Sequence, residues 1–154
     1  MTELASAPRP KRPEFRNINV FTDLPSYRLP AAGMVSILHR ISGFIMFLLL
    51  PFIIWMFDVS VSSEISFGKF TSAFTRGVFC GPSSCFLAGW FMKLVALALI
   101  WAYLHHFIAG LRHLWMDISH EAVSKEFGKT SATVTLVLSV ALTLILGAKL
   151  FGLY

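Results

Sequence analysis

The sequence predicts an all-α integral membrane protein with three transmembrane helices, and three observations lead there. Of its 154 residues, 56% are hydrophobic and only 14% are charged, where a soluble domain carries about 25%. Most of the surface is therefore not built to face water. Apolar stretches at about 31–57, 86–115 and 133–154 are each long enough to cross a hydrocarbon layer of ~30 Å, and charged residues gather in the segments between them. The chain accordingly divides into an N-terminal segment, 1–30, and a three-helix transmembrane domain, 31–154.

Residues 1–30 are polar and punctuated by proline, a segment suited to the membrane face. Pro30 is placed to open a helix, because its missing N–H costs nothing in a first turn. The first span follows, and Ile41 to Phe57 holds no charge at all. Pro51 is expected to bend it, which neighbouring helices tolerate in a membrane. In the first loop, 58–84, Phe67, Phe70 and Phe74 recur at helical spacing. A short interfacial helix and an irregular loop with buried phenylalanines both fit that pattern. The second span exceeds the hydrocarbon thickness and must tilt or project beyond it. A second loop, 116–129, precedes a third span that is apolar except for Lys149.

Basic residues set the orientation. Arg9, Lys11, Arg12, Arg16 and Arg28 precede the first span, and Arg112, Lys125 and Lys129 flank the second loop. The first loop has only Lys69 and Arg76. This places the N-terminus in the cytoplasm and the C-terminus in the periplasm, with Lys93 snorkelling outward. The first thirty residues contain no apolar core of a signal peptide, and Pro8, Pro10 and Pro13 disfavour an amphipathic presequence. A bacterial inner membrane is therefore expected, with the mitochondrial inner membrane as the alternative. The net charge of +5 is explained by topology, so lipid and not nucleic acid is the expected contact. Cys80 and Cys85, in CGPSSC, fall on the outer side, where a disulfide and a pair of packed thiols are both open readings.

Ionisable groups are costly inside a bilayer, at ~2.5–3.5 kcal/mol or more near its centre. Two spans carry them, both toward the cytoplasmic end: Ser36, His39 and Arg40 in SILHRISG, and His105, His106, Arg112, His113 and Asp117 in HHFIAGLRHLWMD. Ser36 and Arg40 lie four apart on one helical face, with His39 at its edge. A hydroxyl and a fixed cation one turn apart suit a carbonyl oxygen that gains negative charge on reduction; an interfacial arginine beside a packed serine is the structural alternative. His106 and His113, seven apart, share a face with Gly110. An imidazole and a nearby glycine suit a flat porphyrin, and a hydrogen bond between helices is the other reading. His105 points ~100° away from His106, so only one of the two can ligate.

These stretches resemble the cytochrome b membrane-anchor subunit of succinate dehydrogenase, respiratory complex II. SILHRISG is similar to that family's S-x-x-H-R-x-[ST]-G, and His106 to His113 followed by Asp117 is similar to its H-x3-G-x-R-H-x3-D. The position before the family's axial histidine is often aromatic, and here it is His105. The resemblance implies half of a heterodimeric helical anchor that holds a b-type haem. His106 would be one axial ligand of the haem iron, and a second anchor subunit would supply the other. His39, Arg112 and His113 would lie near the haem propionates, and Ser36 and Arg40 would bind ubiquinone. An iron–sulfur subunit and a flavoprotein subunit would be the soluble partners. The chain itself holds no dinucleotide-binding glycine motif and no succinate site, so catalytic residues are not expected in it and it should be inactive alone.

The anchor of a quinol:fumarate reductase is the nearest alternative. A proton-coupled transporter is a remote one, since it needs a polar path across the whole bilayer. The outer halves of these spans offer little beyond Lys93 and Lys149.

Overall fold

The computed structural model describes residue 19, residues 21–23, 26–81 and 84–154, and of Cys85 the backbone alone. Most of the N-terminal segment, with Arg9, Lys11, Arg12 and Arg16, lies outside the described residues. Five α-helices and one β-ribbon follow in order: α1 (Ala31–Leu48), α2 (Leu50–Val61), α3 (Glu64–Thr75), β1 (Gly77–Cys80), β2 (Cys85–Ala88), α4 (Gly89–Ile118) and α5 (Lys125–Leu150). A single 3-10 turn, Glu121–Val123, separates α4 from α5. Among the described residues, α1, α4 and α5 are the three helices long and apolar enough to cross a membrane, and they pack on one another as a bundle. The protein is a multi-pass, all-α membrane protein.

Local chemistry explains the boundaries. Pro30 stands immediately before α1, as expected of a residue with no N–H to satisfy. The first apolar run is not one bent helix but two, broken at Leu49. Pro51, in the first turn of α2, cannot donate to Phe47 and its ring crowds that carbonyl. The helical spacing of Phe67, Phe70 and Phe74 becomes α3, which opens with a capping box. The Ser66 N–H donates to Ser63 Oγ at 3.1 Å and the Ser63 N–H to Ser66 Oγ at 2.8 Å. Helix α5 starts eight residues earlier than the apolar pattern alone indicates, because Ser124 caps it by accepting from the Phe127 N–H.

The β-ribbon was not expected. β1 and β2 pair antiparallel, with Gly77 opposite Ala88 and Cys80 opposite Cys85. Gly77 has φ +128°, a conformation that favours glycine, and a side chain there would collide with the Leu87 carbonyl. Cys80 is disulfide-bonded. At this end of the molecule Met56, Ala73 and Met92 form a small core closed by Phe52, Phe70, Phe74, Val78 and Leu87. Lys93 lies at the same end, its ammonium 5.5 Å from the centre of the Phe151 ring.

The bundle's interior is made of small and polar side chains. Val35, Ala109 and Ala132 form its apolar centre, while Ser42, His105, Thr135, Ser139 and Thr143 are buried around it. Large apolar residues such as Phe44, Phe47, Phe107 and Leu144 point outward. In a bilayer lipid is as apolar as leucine, so helices associate through close contact and hydrogen bonds instead.

Candidate functional site

The site is built where α1 passes α4. The carbonyl oxygen of His39 lies 3.0 Å from His106 Nδ1. A carbonyl can only accept, so Nδ1 carries the proton and, in the neutral ring, Nε2 keeps its lone pair. Ser42 completes the arrangement. Its hydroxyl donates to the same His39 oxygen at 2.8 Å and lies 3.3 Å from Nδ1. The His39 imidazole stacks on that of His106, with centroids 4.1 Å apart and planes 20° apart. His113 joins them with its ring 5.2 Å from that of His39. Three histidines from two helices therefore form one cluster, and His39 Nε2 is buried in it with no hydrogen-bond partner.

Close approach of the helices rests on Gly43. A Cβ at that position would stand 2.9 Å from His106 Cε1 and 3.3 Å from Nδ1, so the imidazole occupies the space of the missing side chain. Gly110, on the same face as His106, leaves a looser gap: a Cβ there would meet His39 Nε2 at 3.7 Å.

His105 turns the other way. It is 0% exposed, its Nδ1 lies 3.1 Å from Ser139 Oγ on α5, and its ring stacks on Trp101. Its Nε2 is buried without a hydrogen-bond partner. Arg112 also faces α5, where Nε donates to Ser131 Oγ at 3.0 Å and Nη2 to the Gly128 carbonyl at 3.3 Å. The structure thus brings His39, His106 and His113 together and sets Arg112 against α5. Ser36 is half-buried and Arg40 exposed on α1; among the described residues neither side chain makes a hydrogen bond. Also among the described residues, no group of three His, Cys, Asp or Glu side chains converges as a chelate for a bare ion.

Residues 9–146 match the family model of the succinate dehydrogenase/fumarate reductase transmembrane subunit. The chain belongs to this family. It is 32% identical over 118 residues to the succinate dehydrogenase cytochrome b556 subunit of Coxiella burnetii, covering 76% of this chain and 83% of that one. Against the cytochrome b556 subunit of Paracoccus denitrificans the figures are 30% over 125 residues, 79% and 85%. Against that of Rickettsia felis they are 26% over 136 residues, 88% and 90%. The chain is a cytochrome b membrane-anchor subunit of complex II, an oxidoreductase.

Several parts of this anchor's site had no assigned role in the sequence reading. Ser42 and Gly43 lie inside SILHRISG, and the signal for Ser42 was its place three residues after His39, on the same face. Ser131 and Ser139 belong to a four-residue repeat on α5 that also contains Thr135, Thr143 and Gly147. That spacing marks a helix-packing face without saying which residue it meets.

Proposed function

We propose that the chain is the large anchor of a succinate:quinone oxidoreductase, in which His106 is one axial ligand of a b-type haem shared with a second anchor subunit. The observation that carries this is the bond from His106 Nδ1 to the His39 carbonyl. A ligating histidine characteristically donates its other ring N–H to a backbone carbonyl, which fixes the tautomer and the ring orientation. The unpartnered, buried His39 Nε2 fits a polar guest beside it, and a haem propionate is such an acceptor for His39 and His113. Arg112 is held by Ser131 and the Gly128 carbonyl of α5.

His106 is favoured over its neighbour. His105 is sealed inside the chain's own bundle against Ser139, whereas a shared group must sit at the bundle's surface. His39 is a poor second ligand, because imidazoles stacked at 4.1 Å leave no room for a macrocycle between them. The second ligand therefore comes from the partner. When bound, the haem supplies a one-electron centre next to the quinone site.

The quinone site in this reading uses Ser36 and Arg40. Ser36 donates a hydrogen bond to a quinone carbonyl, and the Arg40 guanidinium stabilises the negative charge that develops on the reduced oxygen. Both lie within the first ten residues of α1, after the N-terminal segment, so the iron–sulfur subunit docks on that side and the flavoprotein beyond it. The N-terminus is cytoplasmic and the C-terminus periplasmic in a bacterial inner membrane. An oxidising compartment on the far side accounts for the disulfide at Cys80. Succinate oxidation is the direction proposed, since the relatives are named as succinate dehydrogenase subunits.

The test is a dithionite-reduced minus oxidised visible spectrum of the complex isolated through this chain, beside His106→Tyr and His105→Tyr. A b-type α-band lost only in His106→Tyr is expected. No α-band in the unaltered complex, or its loss only in His105→Tyr, overturns the assignment.

A further inference from the structure

Arg112 is a buried cation without a charged partner among the described residues. It is 8% exposed, and its partners, Ser131 and the Gly128 carbonyl, are neutral. No carboxylate pairs with it among the described residues. Burying a cation with no counter-charge is costly, yet the side chain borders a cavity of about 650 Å³. This cavity opens where the three spans end together: the start of α1, the end of α4 and the start of α5. Its polar wall consists of Arg112, Lys125, Lys129, Glu126 and Ser124, and its apolar wall of Pro30, Ala31, Ala32, Met116 and Val123.

Among the described residues, three cations and one carboxylate leave the wall with a net positive charge. Lys125 and Lys129 are exposed one turn apart on α5, where their flexible stems can close over a guest. The position fits as well. Arg112 lies six residues before the end of α4, about 9 Å along the axis, at the end of the helix where the three spans finish together. A cavity that is cationic on one side, apolar on the other and set at that end suits an amphiphile carrying a phosphate.

We infer that this cavity is a binding site for the phosphate headgroup of an anionic phospholipid, with Arg112 as its buried counter-charge. The phosphate is held between Arg112 and the two lysines, and the glycerol and first methylenes lie on Ala31, Ala32, Met116 and Val123. A basic recess between spans at the inner membrane face is the setting in which anionic lipids are recognised. Lipid is favoured over a soluble anion because the apolar wall has no use for one. The inference stands apart from the haem and quinone assignments, since none of these residues belongs to the histidine cluster.

The test is native mass spectrometry of the intact complex released from nanodiscs of phosphatidylcholine containing a minor fraction of phosphatidylglycerol. The unaltered complex should retain phosphatidylglycerol that Lys125→Gln/Lys129→Gln does not, with affinity falling about fivefold for each lysine removed. Both lysines are exposed, so that variant should fold and keep the b-type α-band of the unaltered complex; Arg112→Lys, which keeps the charge, should retain the lipid. Equal retention by the double variant overturns the inference. So does full protection of the delipidated complex by inorganic phosphate alone, which would mark a free-anion site. Loss of the soluble subunits from the double variant at unchanged lipid count also overturns it, and would show that the cavity receives a carboxylate of a partner protein.

Discussion

Ser42 and His106 share one acceptor: the Ser42 hydroxyl donates to the His39 carbonyl while standing 3.3 Å from the His106 Nδ1 that engages the same oxygen. The imidazole is thereby held by two oxygens on one turn of α1. Ser42→Ala removes one of them and leaves the carbonyl in place. Haem affinity should fall about tenfold, the lower end of what loss of an outer-shell partner costs, with the α-band still present. Transfer of haem to an external acceptor protein measures this, and an unchanged transfer rate would show that Ser42 merely satisfies the backbone.

Gly43→Ala places a methyl 2.9 Å from His106 Cε1. The ring or α1 itself must then move, at a cost of about 1–3 kcal/mol, and the α-band should weaken. Gly110→Ala meets its nearest atom at 3.7 Å and gains helix propensity, so thermal unfolding of the complex should be unaffected or raised. Equal destabilisation by the two substitutions would contradict the packing described for Gly43.

The His105–Ser139 bond is a tie between α4 and α5. Ser139→Ala strands a buried nitrogen and should cost about 1 kcal/mol. His105→Phe combined with Ser139→Ala removes both partners, so the double variant should lose less stability than the two single changes added together. A double-mutant cycle on unfolding in mixed detergent gives the number, and strict additivity would argue against the bond.

For the quinone site, Ser36→Ala and Arg40→Leu should each lower succinate:quinone reductase activity about 10–100-fold, the range for losing a hydrogen bond to a charged group. The α-band and the succinate activity with an artificial acceptor should remain. Unaltered quinone kinetics in both variants would remove these two residues from the site.

Reduction of the Cys80 disulfide should admit a membrane-impermeant maleimide from the periplasmic face only. A disulfide typically contributes about 2–4 kcal/mol. Cys80→Ser should therefore loosen the ribbon and leave the histidine cluster, at the other end of α4, spectroscopically intact. Labelling from the cytoplasmic side would reverse the proposed orientation.

The three spans were legible because lipid imposes a coarse requirement, a long apolar run closed by charge. Their ends were less so. Ser124 extends α5 by a local capping bond that a hydrophobicity pattern does not register, and Pro51 marks a break whose form depends on the packing of α2. The ribbon at Gly77–Ala88 escaped because two four-residue strands carry little periodic signal. In the site, the shared face of His106 and His113 followed from their seven-residue spacing. That His39 would contribute its backbone carbonyl as well as its ring could not follow from spacing, since it depends on how closely α1 approaches at Gly43. Arg112 was placed with the histidines by the resemblance alone, and its bonds to Ser131 and Gly128 on α5 depend on the packing of α4 against α5.

Adjacent histidines that bond to different helices also decide the handedness of the bundle. Three antiparallel helices can be arranged around a common axis in clockwise or anticlockwise order, and apolar packing alone distinguishes the two mirror topologies weakly. On a right-handed helix, consecutive residues are separated by ~100° in a fixed sense. His106 reaches the His39 carbonyl on α1 and His105 reaches Ser139 on α5, so α1 and α5 must lie on those sides of α4. In the mirror arrangement His106 would face α5 instead of α1, and its bond to the His39 carbonyl would be lost. The dipeptide His105–His106 thus encodes a chirality, and the side of the bundle offered to the partner subunit is fixed with it.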